Sequence, residues 1–393
     1  MNDNASGKRI KAPKVMRSRA MLAIAALAAA FLMAAAGTSH ARERKAYVDE
    51  RHYARAKVER IERRTGHGGE PSQVEIKVHL RILGGEKKGQ THVASYFGED
   101  DMPAGMFYRE GDTVFIGISK MEGVDAVEYV SIYDVDNTAG IIVLAVLLIL
   151  TIVIVGRLRG VLSMISLVAT VILVFYILIP LTLEGRSPLP IAVVIALFSI
   201  VVTIPILLGF RKKTAAAILG ASSGVLLATG LALFSGWIMH LSGIVTNEMM
   251  TVFYASAIDV DLRGLALAGI VIAALGAIMD VCISIASATE EIFRVHPQIS
   301  VGEAFRSVFN VSSDILGATV NTLLFAYVGS ALPMVLLIGM RIDPSMPFWL
   351  VFNYNPVLSE LVKSAVGCIG MFLSMPVTAI ICIEIHKRNR ASA

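Results

Sequence analysis

The sequence predicts an α-helical polytopic membrane protein: a seven-helix bundle plus an N-terminal signal or anchor helix, with a small extracytoplasmic all-β, barrel-like domain. Two bulk observations and one pattern point there. Of 393 residues, 55% are hydrophobic and only 17% charged, and the mean hydropathy is +0.69. That is too apolar for an ordinary soluble chain. Apolar runs of about 20 residues, enough to cross roughly 30 Å of hydrocarbon, recur from residue 139 onward. Residues 42–137 are instead charged, with alternating apolar positions.

The first segment, residues 1–41, has the shape of a targeting sequence. Lys8, Arg9, Lys11, Lys14, Arg17 and Arg19 precede the apolar stretch "MLAIAALAAAFLMAAAG" (21–37). Ser39 to Ala41 offers the small residues of a cleavage site, and a retained anchor is the other outcome. Either one sends residues 42–137 across the membrane.

That second segment reads as five strands. In "QVEIKVHLRIL" (73–83), Val74, Ile76, Val78, Leu80 and Ile82 share one face at period two, the pattern of a half-buried strand. "ARAKVERIE", "THVASYF", "EGDTVFIGI" and "DAVEYVSIYDV" supply the other four, with "GGEKKGQ" as turn material. Closure into a small antiparallel barrel would remove the exposed edges. The expected role of 42–137 is to bind or position an extracytoplasmic protein partner. The acidic run Gly98 to Asp101 reads as a solvated loop, and His52, His67, His79 and His92 show no metal-ligand spacing.

Residues 138–388 hold seven expected spans, at 139–156, 161–181, 189–209, 214–238, 265–289, 314–339 and 359–385. Basic residues favour the cytoplasmic side of short loops. They collect in "GRLRG" (156–160), "FRKKT" (210–214), 290–310 and the tail "HKRNR". The expected topology therefore puts the C-terminus in the cytoplasm of a bacterial cell. The lipid bilayer is the expected partner, and nothing resembles a nucleic-acid footprint. Cys282, Cys368 and Cys382 all lie in spans, so no disulfide framework, zinc motif or cofactor is implied.

"GASSG" (Gly220 to Gly224) fits a serine-nucleophile pattern, but Ser222 would need a histidine base within reach. His240, His296 and His386 all fall at span ends. The competing reading is a small-xxx-small helix contact, and no enzyme activity is expected. The related "ILGA" openings of 218–230 and 315–329 hint at a repeat offset by 97 residues.

The stretch "GAIMDVCISIASATEEI" (276–292) carries the main chemical signal. Asp280, Ser284, Ser287 and Glu291 share one helical face, with Asp280 near the bilayer centre. Ionisable groups at that depth face a bundle interior or a water-filled cavity. Asp314 and Asn321, seven residues apart, offer a matching face on the next span, with Ser287 level with Asp314 and Asp280 with Asn321. Lys363 is the only basic residue inside the last four spans, and Glu360 is its natural partner. The inner acids are thus left to a proton, water or a bound cation, with the metal unspecified. Glu360, Asn353 and Asn355 sit at the outer end of the last span, as a vestibule or as helix caps. A protonated Asp280 bonded to Ser284 or Asn321 would serve equally as a helix-to-helix tie.

Together with the "GDTV" strand, "GAIMDVCISIASATEEI", "DILGATVNTLLFAYVG" and "NPVLSELVKSAVGCIGMFLSMPVTA" resemble the YibE/F-like membrane proteins over residues 45–387. The resemblance implies the architecture, with Asp280 as the intramembrane acid and Asp314 at the polar start of the sixth span. It implies no substrate. The expected function is a transporter or permease of the bacterial cytoplasmic membrane for a small ion or solute. The alternative is a non-transporting assembly or sensory protein; an intramembrane enzyme fits least.

Overall fold

The computed structural model describes residues 52–391 apart from 66–72, 86, 100–107, 121–127, 244–248, 250–259, 341–346, 348 and 351–352. The expected signal or anchor, His67 and the last two residues of the acidic run, Asp100 and Asp101, lie outside the described residues. The chain divides into two compact units, one spanning Arg42–Val155 and the other beginning at Gly156.

In the first unit, β1 (His52–Thr65), β2 (Gln73–Ile82), β3 (Thr91–Glu99), β4 (Thr113–Lys120) and β5 (Glu128–Val135) form one antiparallel sheet in the order β3-β2-β1-β4-β5. β1 is long enough to pair with β4 through its first half and with β2 through the rest, bulging at Glu59. Alternation puts Val78, Leu80 and Ile82 inside against Ala56, Val58, Val114, Ile116 and Ile132.

The sheet curls until β3 and β5 approach, yet the ladder does not close. The Tyr96 hydroxyl accepts the Ile132 N–H at 3.1 Å, so a ring stands where a backbone pair would. The result is a half-barrel rather than the expected closed barrel. Burial pushes the Tyr96 phenol well above its ordinary range, which keeps its proton in place.

β5 runs directly into α1 (Thr138–Leu158). Asp136 accepts from the Thr138 N–H at 3.1 Å and from its hydroxyl, and Arg55 Nε lies 3.1 Å away. The Thr138 bonds, then the Arg55 charge, hold the Asp136 carboxyl below its ordinary 3.8. A depressed acid contributes stability above its unfolded pKa and loses it as pH falls through the folded value. Below about pH 3.8 this cap should therefore weaken. Thermal melts across pH 2–5 should show Asp136→Asn shallower in its acid dependence than wild type; parallel curves would contradict the cap.

α1 stops at "GRLRG", where Arg157 adopts φ 48, a left-handed value that a non-glycine residue seldom takes and that breaks the helix. In the second unit follow α2 (Gly160–Leu183), α3 (Pro188–Leu208), α4 (Lys212–Ile238), α5 (Leu262–Val295), α6 (Val301–Ser330), the short α7 (Leu332–Gly339) and α8 (Asn355–Ala391). α2 holds a π-turn at Val174–Leu178. α1 to α6 and α8 are the seven described helices long and apolar enough to cross a membrane.

The expected loop at 290–310 is corrected. α5 continues to Val295, and α6 starts at Val301 behind a Ser300 cap, whose hydroxyl accepts the Glu303 N–H at 3.2 Å while Glu303 accepts from Ser300. The charged residues there ride on the outer face of an amphipathic turn whose Ala304, Val308, Ser312 and Leu316 are buried. The sixth span likewise ends at Ser330, and Pro333 belongs to a separate short helix rather than to 314–339.

The core of the second unit is the mutual contact of α4, α5 and α8. A Cβ at Gly224 would stand 2.6 Å from Ser374 Cβ and 2.8 Å from Ile278 Cγ2, and one at Gly220 would collide with Thr378. Gly370 answers from α8, where a Cβ would be 2.9 Å from Ala228. Gly224→Val should therefore lower the melting temperature in detergent clearly, at an overpacking cost of about 1–3 kcal/mol. Gly230→Ala, with nothing within 4 Å, should not lower it.

Candidate functional site

α5 positions the main candidates. Asp280 lies eighteen residues after Leu262 and fifteen before Val295, the middle of the helix. Ile270, Ala274, Ile278, Val281, Ile285 and Thr289 are buried on one side of α5. The opposite side carries Gly269, Ala273, Gly276, Asp280, Ser284, Ser287 and Glu291 within about 80° of arc, and none of them is buried. Asp280 is exposed, Ser284 and Ser287 half-buried. Among the described residues none of these three has a hydrogen-bond or ion-pair partner.

α6 packs on α5 and α8 through its buried Ala304, Val308, Ser312 and Leu316. At 100° per residue, Asp314 and Asn321 fall on the opposite side, exposed and likewise unpartnered among the described residues. The two candidate faces therefore share α5 and α6 but do not meet as one seam. A helix can present only one of its sides to a neighbour, and α6 uses the Ser312 side. The suggested repeat diverges in the same way. Gly220, Ala221 and Gly224 are buried in α4, whereas their counterparts Gly317, Ala318 and Asn321 are exposed.

Three glutamates of these helices are matched with bases. Lys363 Nζ donates to Glu360 at 2.6 Å, one turn apart at the start of α8. Arg294 forks onto Glu291 at 2.9 and 2.5 Å. Glu290, which the sequence did not single out, pairs with Lys213 and with Arg211 at 3.5 Å. The signal for that pair lay in "FRKKT" and "ATEEI", two span ends expected on one side. Asn353 donates to the Trp349 carbonyl at 2.9 Å, and Asn355 opens α8 while donating to Ser242 at 3.5 Å. These contacts give both asparagines a structural role.

"GASSG" is a contact surface. Gly220 and Gly224 meet α8, Ser223 donates to the Gly220 carbonyl at 2.7 Å, and Ser222 is half-buried. His386 stacks on Phe293 with centroids 4.7 Å apart, and its Nδ1 lies 2.8 Å from the Cys382 carbonyl. Cys282 Sγ lies 3.3 Å from the Thr378 hydroxyl oxygen, which can accept from the thiol, and Cys282 and Cys382 both sit in the packed core. Ser312 Oγ is buried without a partner in this structure.

A family model described as YibE/F-like protein matches residues 144–388. The chain belongs to the YibE/F-like family. The match takes in α1 from Leu144 and every later helix, including Asp280 and Asp314, and leaves the half-barrel outside it. No curated protein and no solved structure matches the chain.

The Glu360–Lys363 pair has a testable signature. Lys363→Met strands a half-buried carboxylate, so it should destabilise more than the double variant Lys363→Met with Glu360→Gln. Thermal melts of the two single and the double variants check this; strictly additive losses would mean that the pair is not coupled.

Proposed function

We propose that this YibE/F-like chain is a multi-pass permease of the bacterial cytoplasmic membrane that moves a small ion or solute, coupled to a proton or cation through Asp280. One observation carries the reading. Glu290, Glu291, Glu360 and Glu384 each have a lysine or arginine beside them, whereas Asp280, at the middle of its helix, has none among the described residues. A carboxylate at that depth is costly to leave charged, so its neutralising species comes from outside the chain. Ser284 and Ser287 continue the polar face toward Glu291, and these oxygens suit a proton or a hard cation. No catalytic step belongs to this reading.

The basic start of α4 and the basic ends of α5 and α8, with Arg211, Lys212, Lys213, Arg294 and Lys387, favour a cytoplasmic C-terminus and an extracytoplasmic 42–137. A second reading, a membrane assembly protein, draws on the open face of α6. Asp314 and Asn321 there would be covered by a partner rather than line a path.

Flux of protons and of monovalent and divalent cations into proteoliposomes distinguishes the two. Asp280→Asn should reduce transport by more than about tenfold if the carboxyl carries the coupling, and Ser222→Ala should leave it intact. Equal flux in wild type and Asp280→Asn removes the permease role for this site. Loss of a larger assembly in Asp314→Asn with flux retained would support the second reading for α6.

A further inference from the structure

The outward side of α6 carries a repeat that the rest of the bundle leaves open. Ala304, Val308, Ser312 and Leu316 take the inward side at a spacing of four. Across the helix from them, Asn310, Asp314, Gly317, Asn321, Leu324 and Val328 fall within about 80° of arc, and all six are exposed. Their spacing alternates between four and three, the rhythm of a seam between two helices wound about each other.

Three of these side chains are polar in a way that α6 does not satisfy by itself. Ser313, Thr319 and Thr322 return their hydroxyls to carbonyls one turn back, at 2.9, 2.8 and 3.0 Å. Asn310, Asp314 and Asn321 have no hydrogen-bond or ion-pair partner among the described residues. A hydrocarbon core of about 30 Å takes about 20 residues of helix. Every such stretch within Val301–Ser330 contains Asp314, and all but the first contain Asn321. An amide or carboxyl turned to lipid tails at that depth is costly unless it is bonded.

We propose that this seam joins two copies of the chain, α6 against α6, about a two-fold axis along the membrane normal. Copies inserted the same way round present each residue to its own equal at one depth. An amide holds both donors and an acceptor, so each Asn321 donates to and accepts from its equal, and Asn310 does the same nearer the start of the helix. Paired Asp314 carboxyls bond when they share a proton. Gly317, where a Cβ would meet nothing within 4 Å, lets the two backbones approach between Asp314 and Asn321. Leu324 and Val328 continue the contact as apolar seam residues. A different protein would have to bring polar groups to the same three heights, whereas a second copy already has them. The proposal stands whether or not Asp280 carries transport.

Cysteine cross-linking in membranes of cells that express the full chain tests it. In a Cys368→Ser background the remaining Cys282 and Cys382 are enclosed in the core. Leu324→Cys and Val328→Cys lie on the seam, while Thr322→Cys and Val311→Cys are exposed on the same helix about 100–120° from its midline. With copper phenanthroline, the seam positions should give roughly threefold more disulfide-linked dimer than the other two. Adding Asn321→Leu to Leu324→Cys should cut that dimer by about half or more, whereas Asn321→Gln, which keeps the amide, should preserve most of it. Dimer at all four positions alike, dimer at none, or a cross-link untouched by Asn321→Leu overturns the proposal. A different protein seated on this face would leave no self-linked dimer, the second of those results.

Discussion

The second unit depends on how closely α4, α5 and α8 approach. Between membrane helices the lipid is as apolar as the side chains, so association rests on close packing rather than on water exclusion. Gly220 and Gly224 on α4 and Gly370 on α8 remove the side chains that would hold the backbones apart. Ala217, Ala221, Ala228 and Ala232 are fully buried along the same helix. With the axes that near, Ile278 and Ile285 of α5 and Met371 of α8 fill the remaining space completely. Thr378 and Ser374 can sit in this seam because their hydroxyls return to carbonyls of α8 itself at 2.8 Å, so no polar atom is stranded.

This packing has an electrostatic counterpart at the helix ends. Glu290 is drawn to Lys213 and Arg211 across the α4–α5 contact, while Glu291, one residue on, faces the open side and is met by Arg294 of its own helix. Adjacent acids are thus neutralised by different means because they point in different directions around α5. Exposed pairs of the second kind add little stability, whereas the Lys213 side chain is only 12% exposed and fastens two helices. Glu290, Glu291 and Glu360 thus each meet a basic side chain near a helix end, whereas Asp280 lies deeper.

The spans, the five strands and the Lys363–Glu360 pair were legible because each rests on local periodicity or one-turn spacing. The start of α6 was not. Glu303 and Arg306 made 290–310 look like a loop, and only the i, i+4 series Ala304, Val308, Ser312, Leu316 betrays a buried stripe. The half-barrel was legible as strands but not as an unclosed sheet, because the Tyr96 to Ile132 bond joins residues 36 apart. Which side of α6 faces α5 was also hidden. Asp314 and Asn321 have the right spacing for a shared face, but spacing is blind to the direction of that face, and Ser312, two residues from Asp314, takes the inward position instead.

The position of Asp280 follows from the same packing. Its neighbours Ile278, Val281 and Cys282 are fully buried against α4 and α8, so the α5 backbone at this point is held from one side. The carboxyl itself projects from the other side, where Gly276 and Gly269 leave room and, among the described residues, no lysine or arginine pairs with it. Rigid placement without a protein counter-charge differs from the arrangement of a purely structural acid, such as Asp261. That residue accepts from Gly264 N–H at 2.7 Å and Ser187 at 3.0 Å to fix the start of the same helix. Two aspartates on one helix are thus treated in opposite ways: the acid at the end has its hydrogen bonds filled by the fold, while the one at the centre has its backbone fixed and its carboxyl left unpaired. That contrast ties the tight glycine-lined seam to the availability of Asp280 for an external proton or cation.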